Sequence, residues 1–201
     1  MKQFWNERYQ QSEYVYGENP NGFFREKLLK LLPGSILLPG EGEGRNAVWA
    51  ARQGWKVTAI DYSEAARSKA LALAERHGGV AIDYHLDDID SFPYPKDHFD
   101  AAALIFIHHS PEMRLITHRK IMDALKPGGY IIVEAFTPEQ LNYNSGGPKN
   151  PEMLYTAEIL CSDFASLNIL FVDVAIHTLD EGKHHSGPAS TVRLFAQKPS
   201  D

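Results

Sequence analysis

The feature that most limits how this chain can fold is a short apolar run, Ile36-Leu37-Leu38, that leads through Pro39 into the glycine cluster Gly40-Glu41-Gly42-Glu43-Gly44. An apolar segment of strand length, followed by residues free to take left-handed backbone conformations, predicts a sharp turn out of a sheet. Ala47, Trp49, Ala50 and Ala51 then stand at mostly helical spacing until Gly54 stops the helix. Lys56-Val57-Thr58-Ala59-Ile60 reads as a second strand that closes on Asp61. Strand, glycine turn, helix and strand form the unit that joins parallel neighbours through a right-handed crossover.

The alternation continues down the chain. Ser63 suits the N-cap of a helix whose Ala66, Ala70, Leu71, Leu73 and Ala74 supply an apolar stripe up to Gly78-Gly79. Val80 to Leu86 is a third strand candidate, and the continuous run Ala101 to Ile107 fits a central strand buried on both faces. A helix from about Glu112 to Leu125 is broken by Lys126-Pro127-Gly128-Gly129, and Tyr130 to Phe136 forms the next strand. Residues 137–155, rich in Pro, Gly and Asn, read as a long loop, and Thr156 to about Leu167 as a helix. Ile169 to Thr178 and Thr191 to Gln197 close the chain as two strands with no helix between them, which predicts an antiparallel C-terminal hairpin on one edge. The expectation is an α/β fold with a mostly parallel sheet and helices on both faces. It is read as one domain over residues 1–201, with 1–33 as an N-terminal cap and helix and 34–201 as the core.

Charge and hydropathy narrow the function. A net charge of −6 without any basic run argues against a nucleic-acid partner. No apolar stretch approaches the roughly 20 residues of a membrane span. The start, Met1 to Arg8, turns polar too soon for a signal peptide. A single cysteine, Cys161, suits a reducing compartment, so the expected location is cytoplasmic.

The glycine turn carries the ligand argument. Strand, glycine loop, helix, strand and acid is the plan of a Rossmann nucleotide site, in which the acid at the second strand's tip accepts from ribose hydroxyls, and Asp61 holds that place. The dinucleotide fingerprint wants a small residue at position 45, where Arg45 stands. Glu41 and Glu43 would also repel a pyrophosphate. S-adenosylmethionine carries no phosphate; its ammonium and sulfonium are cations, so an acidic glycine loop fits it better than NAD. The plain structural alternative is a tight turn whose glycines only permit close packing. An NAD-dependent oxidoreductase on the same plan is a further alternative, and the sequence lacks the Tyr-x-x-x-Lys pair that would favour it.

These residues also carry a family likeness. Gly40 to Asn46, Asp61-Tyr62-Ser63, Phe92 to Asp100 and Leu125 to Gly129 resemble, in order, successive motifs of class I S-adenosylmethionine-dependent methyltransferases. The short chain is similar to the tellurite-resistance and thiopurine groups. The resemblance implies a Rossmann-like, seven-stranded sheet with an antiparallel last strand and S-adenosyl-L-methionine as cofactor. By the same likeness, Gly40 and Gly42 admit the methionine moiety, with Asn46 beside them. Asp61 takes the ribose hydroxyls, Tyr62 lies against the adenine next to Ser63, and Asp88 and Ile89 meet the adenine amino group and ring nitrogen. Ile105 to His108 border the methyl group and the substrate. The loop departs from its commonest form at Leu38 and Glu41, and Glu41 is expected to take over the ammonium contact.

Methyl transfer is an in-line displacement, so holding the reactants in line supplies much of the acceleration. A base is needed only when the acceptor carries a proton. His108 and His109 follow the fourth strand at the edge where ligands bind, and His108 is the first candidate base. Lys183-His184-His185-Ser186-Gly187 falls in the hairpin turn, where solvated histidines are one reading and a substrate role for His185 the other. No metal site is expected, since adjacent strand residues face opposite ways and no further ligands accompany the pair. The N-terminal aromatics Trp5, Tyr9, Tyr14 and Tyr16 and the 137–155 loop are candidate covers over an acceptor pocket. With almost nothing added to the core, the expected partner is a small-molecule acceptor, with thiol, oxyanion, metalloid and amine chemistries open. A binding protein for the same cofactor, without catalysis, is the alternative that Leu38 and Glu41 keep in view.

Overall fold

The computed structural model describes residues 2–200. Thirteen helices and strands follow in the order α1 (Lys2–Tyr9), α2 (Gly22–Leu28), β1 (Ser35–Pro39), α3 (Arg45–Arg52), β2 (Lys56–Asp61), α4 (Glu64–Arg76), β3 (Ile82–Leu86), β4 (Phe99–Ile105), α5 (Pro111–Ala124), β5 (Leu125–Phe136), α6 (Ala157–Asp163), β6 (Asn168–Asp180) and β7 (Ser186–Gln197). One seven-stranded sheet has the order β3-β2-β1-β4-β5-β7-β6. Strands β1 to β5 pair in parallel, and β7 runs antiparallel between β5 and β6.

Alternation along β1 divides the core in two. Leu37, with Ile60, Leu104, Ile121, Val133 and Val192, packs on the face that carries α5 and α6. Ile36 and Leu38, with Ala59, Ala101 and Ala103, pack on the other face with Phe24 and Ala47. The chain builds outward from β1 to β3 and then returns to lay β4 on the opposite side of β1. That reversal leaves a crevice at the carboxyl ends of β1 and β4, where open α/β sheets hold ligands.

Element boundaries differ from the sequence reading in several places, among them β3, which begins at Ile82 rather than Val80. Strand β4 ends at Ile105 rather than Ile107, because Phe106 sits at φ +55° and leaves the extended region. Helix α5 stops at Ala124, and β5 begins at once with Leu125, which pairs with Phe99. The Lys126-Pro127-Gly128-Gly129 segment is absorbed as a register shift in the strand, with Gly128 at φ +79°. Helix α6 ends at Asp163 so that Phe164 and Leu167 can turn into the core. The hairpin ladder extends further than the sequence reading, reaching Asp180 opposite Ser186, because Leu179 and Ala189 are buried together with Phe136 and Leu154. Among the described residues, no helix is long and apolar enough to cross a membrane.

Candidate active site

A cavity of about 590 Å³ opens at the carboxyl ends of β1, β2 and β4, within the range usual for small-ligand sites. The glycine loop forms its floor at one end. Gly40 and Gly42 have φ of +63° and +62°, a region costly for other residues. A Cβ on Gly40 would run into Ile107, and one on Gly42 would press on the Tyr9 hydroxyl. Only bare backbone fits between these side chains, which leaves main-chain groups facing the cavity.

Asp61, at the tip of β2, braces this loop. Its Oδ2 accepts from the Gly42 N–H at 3.1 Å and its Oδ1 from the Ser63 N–H at 2.9 Å. Each oxygen keeps a lone pair for a ligand donor. Burial pushes the Asp61 carboxyl up to about 6. Glu41 accepts from the Ala47 N–H at 2.7 Å at the start of α3, and burial pushes it up to about 7. The two loop carboxylates do not act together, contrary to the sequence argument. Glu43 turns away to accept from the Val15 N–H at 2.8 Å and to pair with Lys69 at 2.7 Å.

Of the residues assigned by sequence, Gly40, Glu41, Gly42, Asn46, Asp61, Tyr62, Asp88, Ile89, Ile105, His108 and His185 all line this cavity. Ser63 does not. Its hydroxyl caps α4 by accepting from the Ala66 N–H and meets Asn6 Oδ1 at 3.1 Å, a structural task.

The histidines sort themselves by what their ring nitrogens do. His108 Nδ1–H donates to the Met153 carbonyl, and Nε2 accepts from the Phe136 N–H at 3.2 Å. Both nitrogens serve the backbone, and burial pulls the ring down to about 4. The expectation of His108 as base does not fit this geometry, because no lone pair is left for an acceptor. His185, read from sequence as a hairpin histidine that could be solvated, is buried instead. Its ring lies 4.5 Å from Tyr16, 4.6 Å from Phe106 and 5.4 Å from Phe136. Its Nδ1 lies 3.7 Å from Glu181 Oε2 and has no hydrogen bond. Burial lowers its pKa, and Glu181 opposes that.

Glu181 belongs to a buried polar network that the sequence reading missed. Arg45 pairs with it at 2.8 Å and Asn21 Nδ2 donates to it at 2.9 Å. Against the upward push of burial, His185 and Arg45 hold Glu181 down at about 2. The same Asn21 amide donates to Glu134 at 2.7 Å, and Glu134 also accepts from Arg193 at 2.7 Å and Thr191 at 3.3 Å. Glu134 is fully buried near the end of β5. Its one signal in the sequence is a lone charge in an apolar strand. Phe106, left-handed at the end of β4 and stacked on Phe136 at 4.6 Å, gave no such signal.

The cavity's cover comes from α1 with Tyr16 and from the 137–155 loop, through Trp5, Tyr9, Asn144, Gly146 and Met153. The residues Pro138–Asn142 and Pro151–Met153 of that loop form short 3-10 turns. Among the described residues, no group of three or more His, Cys, Asp or Glu side chains is placed to hold a metal ion.

Residues 36–129 match the family model described as a methyltransferase domain. No curated protein sequence matches the chain. Among solved structures, a protein described under the conversion of a disulfide bond into a thioacetal group during echinomycin biosynthesis superposes with a TM-score of 0.81 at 15% identity, covering 100% of this chain and 93% of that one. The N-methyltransferase NodS from Bradyrhizobium japonicum, in complex with S-adenosyl-L-homocysteine, gives 0.73 at 14% identity over 98% of both chains. TehB from Haemophilus influenzae gives 0.73 at 16% identity over 98% of this chain and 66% of its own. Residues 36–129, which hold the glycine loop and the acid at the tip of β2 that braces it, thus form a methyltransferase domain, set in a seven-stranded fold of the class I, S-adenosylmethionine-dependent methyltransferase type.

Proposed function

We propose that this methyltransferase acts on a small-molecule acceptor held between α1, the 137–155 loop and the β6–β7 turn. The observation that carries the proposal is the cavity itself. One continuous space runs from Asp61 and the glycine loop to His185, and the chain's own N-terminal residues and 137–155 loop cover its far end. Such a partly covered space suits a small molecule better than a folded protein or a polynucleotide.

When bound, S-adenosylmethionine supplies a methyl group on a sulfonium, an electrophile already activated. The chain's task is then to bind and orient. Asp61 offers its free lone pairs to ribose hydroxyls, while Tyr62, Asp88 and Ile89 border the adenine. Gly40 and Gly42 present backbone to the methionine moiety, Glu41 pairs with its ammonium, and Asn46 and Ile105 close that end. Trp5, Tyr9 and Tyr16 keep water out of the chamber. For an acceptor that carries a proton, His185 is the base. Glu181 faces its Nδ1, which leaves Nε2 to take the proton, and no residue of the chain bonds to Nε2 among those described. The 3.7 Å separation from Glu181 is longer than a hydrogen bond, as catalytic pairs often are before substrate binds.

Calorimetric titration with S-adenosylmethionine, S-adenosylhomocysteine and NADH tests the binding half. The adenosyl ligands should saturate, NADH should not bind, and Asp61→Ala should weaken the first two by about a hundredfold, as expected when a charged hydrogen-bond partner is lost. Methyl transfer to compounds from a small-acceptor panel, with none to protein or polynucleotide, tests the other half. Turnover on a macromolecule alone would overturn it.

A further inference from the structure

Charge is segregated along the cavity. Every carboxylate residue on its wall, Glu41, Glu43, Asp61, Asp88 and Asp90, belongs to the end built from β1 to β3. Arg8, on α1, and Lys183 and His184, in the β6–β7 turn, line the cavity where those two segments meet. Arg45 is already matched by Glu181. Arg8 and Lys183 have no carboxylate within ion-pair distance among the described residues. The Arg8 Nη1 donates to the Tyr16 hydroxyl at 2.9 Å, and its guanidinium lies 4.5 Å over Phe4 and 5.0 Å over Trp5. An arginine seated on aromatic rings is a planar, fixed cation with N–H groups to spare. After burial, the positive charges of Arg8 and Lys183 are what hold His184 below its usual range, so the three groups share one local field. In a chain of net charge −6, unmatched cations gathered on one part of a pocket wall mark the place of an anion. Next to them, Tyr16, Phe106 and Phe136 surround the His185 ring with flat apolar faces.

We infer that the methyl acceptor is an aromatic anion: a planar ring bearing a carboxylate or phosphate that docks at Arg8 and Lys183, and an O–H, N–H or S–H nucleophile that reaches His185. The inference rests on the methyl-transfer reading and adds the substrate class to it. The acceptor heteroatom bonds the methyl carbon as the carbon–sulfur bond breaks. Neutral S-adenosylhomocysteine leaves, and the acceptor's proton passes through His185 Nε2 to water.

The test titrates the protein saturated with S-adenosylhomocysteine against the isomeric hydroxy-, mercapto- and aminobenzoates, and against the hydroxyphenyl phosphates. Each compound is compared with its uncharged ester. At least one anion should bind about tenfold or more tighter than its ester, and raising salt from about 0.02 to about 0.5 M should erode the preference. Arg8→Gln combined with Lys183→Gln should abolish it, and the retained affinity for S-adenosylhomocysteine reports that the variant is folded. Lys183→Gln alone, at an exposed position, should reduce the preference if the double variant does not fold. The two anion series separate carboxylate from phosphate recognition. Esters binding as well as their anions, no anion binding at all, or a preference that survives the substitutions would each overturn the inference. Methyl transfer confined to neutral acceptors would overturn the anion while keeping methyl transfer. Failure of S-adenosylhomocysteine itself to bind would overturn the cofactor reading, and this inference with it.

Discussion

The two ends of the cavity are built by different means. The glycine-loop end comes from one stretch of chain, Pro39 to Ile89, and its geometry is set by backbone: two left-handed glycines and an Asp61 that accepts from main-chain N–H groups. The hairpin end draws on α1, residues 106–109, the 137–155 loop and the β6–β7 turn, and side chains hold it together. Asn21 alone ties Glu134 and Glu181 across separations of 113 and 160 residues. A backbone-made site keeps its shape through many side-chain changes, whereas a side-chain-made one changes with each. The first kind suits a ligand common to a family, and the second suits a substrate particular to one member.

The largest test breaks the second kind of construction. Glu134→Leu leaves Arg193 and Asn21 facing apolar surface, and urea denaturation should show a loss of about 3–5 kcal/mol, as for a broken buried charge pair. A loss below about 1 kcal/mol would mean that the hairpin end does not depend on its side-chain network in the way described. His185→Gln should lower kcat/KM by about a hundredfold and flatten the acid limb of its pH profile, with S-adenosylhomocysteine affinity nearly unchanged. His108→Asn should instead cost about 2 kcal/mol of stability through its two backbone partners and leave the shape of the pH profile alone. The reverse pattern would exchange their roles.

Acidity separates the two ends more finely. Asp61 and Glu41 are raised by burial to about 6 and about 7, so each must lose its proton before it can make the contact proposed for it, to a ribose hydroxyl or an ammonium. Affinity for S-adenosylmethionine should therefore be full above about pH 7 and fall by up to tenfold per pH unit for each group below its pKa. The sign for unliganded stability is opposite. A raised carboxyl pKa contributes stability that is present below about pH 4 and lost as pH climbs through 6 and 7. Thermal scans should show the ligand's stabilisation shrinking toward acid while the contribution of these two groups to the free protein grows. The smallest effect belongs to Ser63→Ala, which should cost about 1 kcal/mol as a lost helix cap and leave cofactor affinity unmoved. A large affinity loss there would return Ser63 to the cavity wall.

How much the sequence reveals follows the same division. Ile36 to Asp61 is legible because strand, turn and helix each impose a local period, and Gly40, Gly42 and Asp61 fall where that period ends. Nine of the ten residues assigned to the cofactor line the cavity, and Ser63 fails only because capping and ligand contact ask for the same residue type. The histidines were not legible. Nothing in the spacing of His108 shows that Met153 and Phe136 will take both its nitrogens, and nothing near His185 shows that Tyr16 and Phe136 will close around it. Those facts depend on contacts between distant segments, and local pattern is blind to them. Glu134 is an intermediate case, visible as an odd charge in an apolar strand but not interpretable without Asn21 and Arg193.

The long reach of Asn21 also orders events in time. A contact that closes a loop of 160 residues can form only after Glu181 has been made, and such contacts are slow to find because the entropy of closure must be met first. On the ribosome, the glycine loop and Asp61 can come together while the β6–β7 turn is still unsynthesised. The end of the cavity proposed to hold the acceptor therefore comes together after the glycine-loop end.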